Sequence, residues 1–141
     1  MAEEKQEMSL TLVLTLMGVV IINLTIGIVH IVNYLFLSNA SVWNVLPIVD
    51  AVLIFFLSWQ ILQIVNTNHV NFGFQLGGLW AVATFILDFF LYILPQPGSA
   101  TDAIAAISSS LFIHYGVIIL VPVLIGLYHL IRQKIEGSNN G

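Results

Sequence analysis

Four apolar stretches, at residues 9–37, 43–65, 74–94 and 108–131, occupy most of a 141-residue chain. A helix needs about 20 apolar residues to cross the ~30 Å hydrocarbon core of a bilayer, and each stretch is that long or longer. Only helices and closed barrels satisfy their backbone polar groups in lipid, and runs of this length suit the helix. The intervening segments LSNAS (37–41), NTNHVNFG (66–73) and LPQPGSATD (94–102) are rich in turn formers and too short to hold a domain. The expected architecture is all-α and integral to the membrane, an antiparallel bundle of four transmembrane helices forming one domain over residues 1–141.

Composition agrees with this reading. Charged residues make up 7% of the chain, against about a quarter in soluble domains, and the mean hydropathy is +1.02. Lys and Arg number 3 against 7 acids, so the clustered cations that phosphate backbones require are missing and nucleic acid is not an expected partner. With no cysteine in the chain, thiolate metal sites, iron–sulfur clusters and cysteine nucleophiles are excluded. The acidic start MAEEKQEMS and the long apolar run behind it argue against a cleaved leader.

All three basic residues, Lys5, Arg132 and Lys134, lie in the two tails. The positive-inside rule therefore directs both termini to the cytoplasm, which an even number of spans allows. Ser99 and Asp102 read as a capping pair that lets the fourth helix begin near Ala100. Pro47 falls in the first turn of the second span, where it is tolerated, and Pro122 lies inside the fourth, where a bend is expected.

Each span carries an ionisable residue: His30, Asp50, Asp88 and His114. Such groups are costly in hydrocarbon and are functional candidates by default. Counted from the outer end of each run at 1.5 Å per residue, all four come out about 10 Å deep, so antiparallel packing would bring them to one layer. Helical spacing adds Asn23, Gly27 and Tyr34 to the His30 face. It adds Gly77, Ala81, Thr84 and Tyr92 to the Asp88 face, a pattern of small and polar residues expected at a helix interface. Trp43 and Pro47 align with Asp50. Ser110 and, roughly, Tyr128 and Arg132 align with His114.

Two imidazoles and two carboxylates can hold a cation, either a divalent transition metal such as zinc, manganese or iron, or a proton in transit. On that reading His30, Asp50, Asp88 and His114 are the ligands, with Asn23, Tyr34, Thr84 and Tyr92 as supporting polar groups. The competing reading makes the same residues hydrogen-bonded fixers of helix register, in an accessory subunit of a larger membrane complex. A weaker alternative takes His30 and His114 as axial ligands of haem b, and a solute path would require a homo-oligomer. The loops carry no nucleophile motif or phosphate-binding loop, so any catalysis would fall to the intramembrane cluster. His69 is expected to be solvated in its loop, and Tyr128 and His129 to be interfacial anchors. Gln60, Gln63 and Asn66 point away from the Asp50 face, where another subunit could meet them.

Overall fold

The computed structural model describes the backbone of residues 2–36, 42–65, 68–94 and 100–139, and side chains mainly over 10–32, 45–65, 68–91 and 112–138. The described residues are helical with no strand: α1 (Ala2–Phe36), α2 (Val42–Ile64), α3 (His69–Asp88), a π-helical turn (Phe89–Ile93) and α4 (Ala100–Asn139). Four helices are long and apolar enough to cross a membrane, over Leu10–Val32, Val45–Ile64, His69–Leu91 and Phe112–Ser138.

Two boundaries are informative. The third helix starts at His69, five residues before the apolar run, because Asn68 caps it: its side chain accepts from the Asn71 N–H at 3.2 Å. His69 to Gly73 are therefore helical rather than loop. The fourth helix begins at Ala100, where the Ser99–Asp102 pair leads one to expect it, although the side chains of that pair lie outside the described residues.

Helices α3 and α4 pack most intimately, and glycine is the reason. A Cβ on Gly77 would stand 2.8 Å from the Ile119 carbonyl oxygen, one on Gly73 would collide with the Pro122 carbonyl, and one on Gly126 with the His69 carbonyl. Small residues at i and i+4 thus let the two backbones touch. The pairs 73 with 122, 77 with 119 and 126 with 69 run in opposite chain directions, so these two helices are mutually antiparallel. α4 continues through Pro122. The proline ring deprives the Ile118 carbonyl of its helical donor, and that carbonyl lies against Gly77, 3.0 Å from where its Cβ would be.

α1 joins through Trp80. The indole is fully buried over Gly18 and donates from Nε1 to the Thr15 carbonyl at 3.0 Å. Ile22, Ile26, Leu46, Ile54 and Ile118 complete the core around it. The buried line on α1 is therefore Thr15, Gly18, Ile22 and Ile26, while Asn23, Gly27 and His30 lie beside it, half-buried.

Glycine substitutions separate contact from propensity. Gly73→Ala should destabilise the protein by about 1–3 kcal/mol through overpacking, whereas Gly78→Ala, with nothing within 4 Å of its Cβ, should be neutral or stabilising by up to about 1 kcal/mol through helix propensity. Unfolding midpoints of the two variants in detergent check this; equal losses would contradict the packing.

Candidate functional site

An apolar helix core leaves a polar side chain no water, so each one must find a partner or remain costly. Asp50 stands in the middle of α2, one turn from Leu46 and Ile54, and is fully buried. Asp88 is the last residue of α3, also fully buried, in line with Gly77, Ala81 and Thr84, all of them buried. His114 extends from α4 toward both, and its exposure is likewise 0%.

The imidazole lies between the two carboxylates. Its Nδ1 is 2.6 Å from Oδ2 of Asp50 and its Nε2 is 3.5 Å from Oδ2 of Asp88. Tyr115, next along α4, donates its hydroxyl to the same Asp88 oxygen at 2.7 Å and sets its ring edge-on to His114 with centroids 4.7 Å apart. His30, half-buried on α1, is close enough to interact electrostatically with Asp88 and His114. Three of the four ionisable residues singled out by depth thus form one contact set spanning α2, α3 and α4, with the fourth at its edge.

The π-helical turn begins at the residue after Asp88, and Leu94 N–H reaches back to the Phe89 carbonyl at 2.8 Å. Such turns widen a helix by one residue and recur at functional sites. Nothing in the sequence distinguishes Phe89–Ile93 from an ordinary helical end. Tyr115 lies 100° around the helix from His114, so face periodicity does not select it. The usable signal was chemical: a tyrosine hydroxyl in an apolar helix needs an acceptor.

Some expectations are corrected. Asn23 donates its amide to the Val19 carbonyl of its own helix at 2.8 Å. Thr84 is buried on the Asp88 face, but its hydroxyl has no hydrogen-bond partner among the described residues. Tyr128 and Arg132, which align with His114 by helical spacing, are exposed. The side chains of Tyr34, Tyr92, Trp43, Asn66 and Ser110 lie outside the described residues. His69 is not a solvated loop residue. It is buried at 7% exposure, with its ring stacked on His129 at 5.3 Å between centroids and 18° between planes.

The distances discriminate between the chemistries this set can support. Ligand atoms sharing one transition metal at 2.0–2.2 Å stand about 3 Å or more apart, and the 2.6 Å contact of His114 with Asp50 is shorter than that spacing. A nitrogen–oxygen separation of 2.6 Å is that of a short, charge-assisted contact. Among the described residues no group of three His, Asp or Glu side chains is arranged to hold a metal ion. Axial haem ligation fits poorly as well, because both ring nitrogens of His114 face carboxylates.

No known protein-family model, curated protein or solved structure matches the chain.

Removing one member of a buried ionic set costs about 3–5 kcal/mol, so Asp88→Ala should lower stability by that order. Tyr115→Phe should cost about 1–3 kcal/mol through the acceptor it leaves unpaired. Gln63→Ala, at an exposed position, should stay within about 0.5 kcal/mol of the parent. Denaturant titrations in one detergent rank the three, and an Asp88→Ala effect no larger than that of Gln63→Ala would contradict the geometry.

Proposed function

We propose that the four helices form an antiparallel bundle across a lipid bilayer and that Asp50, His114 and Asp88 are its proton-binding centre. The observation that carries the reading is the single buried imidazole with a carboxylate at each nitrogen, at 2.6 and 3.5 Å. Two carboxylates and one imidazole are neutral when they hold two protons beyond the single N–H of the neutral ring. A low-dielectric interior favours that low-charge state, so the three groups titrate as one coupled unit. A shift of under about 1 Å would bring Nε2 into full hydrogen-bonding distance of Asp88, and a proton held against Asp50 could then be handed across the ring. Tyr115 steadies the receiving oxygen and His30 adds a further base at the edge. With the site about 10 Å below the outer ends of the spans, exchange would occur with the outer side.

A second reading makes the chain an accessory subunit, or one copy in a homo-oligomer, in which the polar set only fixes helix register. What favours it is α1, which buries the smallest share of its apolar window, 22% against 39% for α2, and so offers a broad apolar face to lipid or to a neighbour.

Proton counting separates the two. In nanodiscs, a jump between about pH 5 and pH 9 should release about one more proton per chain from the parent than from His114→Gln or Asp88→Asn, because the coupled set loses a titrating member. Equal counts in variants that retain parental helix content would leave only the register role. Placement is tested independently: tags at the two termini should react with an impermeant reagent from the same, cytoplasmic side, as the tail-confined basic residues predict. Tags reactive from opposite sides would contradict the four-span arrangement.

A further inference from the structure

The polar cluster at the other end of the bundle belongs to a different site. Along α4, His129 follows His114 by 15 residues, about 22 Å at helical rise. There a cavity of about 410 Å³ is lined by Gln63 of α2, His69 of α3, and His129, Arg132, Gln133 and Glu136 of α4. Its polar lining sets one cation, Arg132, and one carboxylate, Glu136, among two amides and two imidazoles. Glu136 takes Nε of Arg132 at 2.7 Å, which orients the guanidinium and leaves its terminal nitrogens available to an anion. The buried Nε2 of His129 has no hydrogen-bond partner among the described residues.

Toward the middle of the bundle, a second cavity of about 520 Å³ runs between α2 and α4, walled by Ala51, Phe55 and Trp59 on one side and by Val121, Leu124 and Ile125 on the other. Trp59 joins the two spaces. Its ring lies in the apolar groove with its centroid 5.2 Å from that of His129 and 5.4 Å from that of Tyr128. One face of α2 and α4 therefore presents an apolar trough, an aromatic boundary and a polar pocket in sequence, each cavity within the range of ligand sites.

We infer that this face binds one phospholipid molecule, with an acyl chain in the groove beside Phe55 and Leu124 and the phosphodiester against His69, His129 and Arg132. A guanidinium at the end of a membrane helix suits an anionic head group even where a carboxylate holds its Nε, because its terminal nitrogens still point outward as a fork, and the aromatic step matches the level where Trp and Tyr meet the interface. Free phosphate would satisfy the donors but leave the groove unused. The inference rests on the bilayer placement proposed above and is independent of the proton centre.

Native mass spectrometry of the delipidated full-length chain tests it. The parent should retain one palmitoyl-oleoyl phosphatidylglycerol per chain, at least about tenfold more tightly than the diacylglycerol of the same chains, and millimolar inorganic phosphate should not displace it. The Arg132→Gln, His129→Gln double variant should lose about tenfold in retention, as should Leu124→Trp, which fills the groove. Arg132→Gln alone, at an exposed position, should weaken retention without risk to the fold. Asp88→Asn should retain lipid like the parent, so the lipid site and the proton centre fail separately. Equal retention of the two lipids, displacement by inorganic phosphate, or parental retention by the double variant would each overturn the inference.

Discussion

Two carboxylates inside an apolar helix bundle impose the condition that organises the rest of the molecule. Neither Asp50 nor Asp88 has water to turn to, since both are fully buried, and a buried carboxylate without a partner costs several kcal/mol. His114 meets both, so one imidazole fixes the rotation of α2, α3 and α4 about their axes as well as their relative depth. A one-residue slip of any of the three would move its ionisable group 100° around the helix and break the set. Polar contacts in such a core therefore carry orientation that apolar packing, tolerant of many registers, does not supply.

The close approach of α3 to α4 makes the contact feasible. Gly73, Gly77 and Gly126 remove the side chains that would hold these backbones apart. The carbonyl freed by Pro122 falls where Gly77 exposes its Cα, a setting suited to weak Cα–H···O contacts. With the backbones this near, Asp88 and Tyr115 come within 2.7 Å across the interface. The π-helical turn then reaims the chain directly after Asp88. Trp80 acts similarly for α1, filling the space that Gly18 leaves and anchoring on the Thr15 carbonyl.

Most of this fold was readable in the residues, and the reasons are physical. Length and apolarity alone define four spanning-length helices, and rise per residue leads one to expect His30, Asp50, Asp88 and His114 at a similar level, of which Asp50, His114 and Asp88 are in contact. The Gly77, Ala81, Thr84 and Asp88 face followed from small and polar residues at helical spacing. Rotation was harder. Asn23 shares the His30 stripe yet satisfies itself on its own backbone, an option open to any Asn or Thr in a helix and invisible to periodicity. His69 looked like loop because turn formers surround it, whereas Asn68 caps a helix there and the ring stacks on His129 from a helix sixty residues away. The π turn and Tyr115 depend on tertiary contact and left no periodic trace.

The central claim is that His114 engages Asp50 through Nδ1 and Asp88 through Nε2 as one proton-sharing unit. Nitrogen-15 NMR of histidine-labelled protein in lipid bilayers, with His114→Gln identifying the ring, reads this directly. The account predicts that Asp50→Asn shifts chiefly the Nδ1 resonance of His114 and Asp88→Asn chiefly its Nε2 resonance, each with a smaller reciprocal change at the other nitrogen. Resonances unmoved by either substitution in folded protein would contradict it.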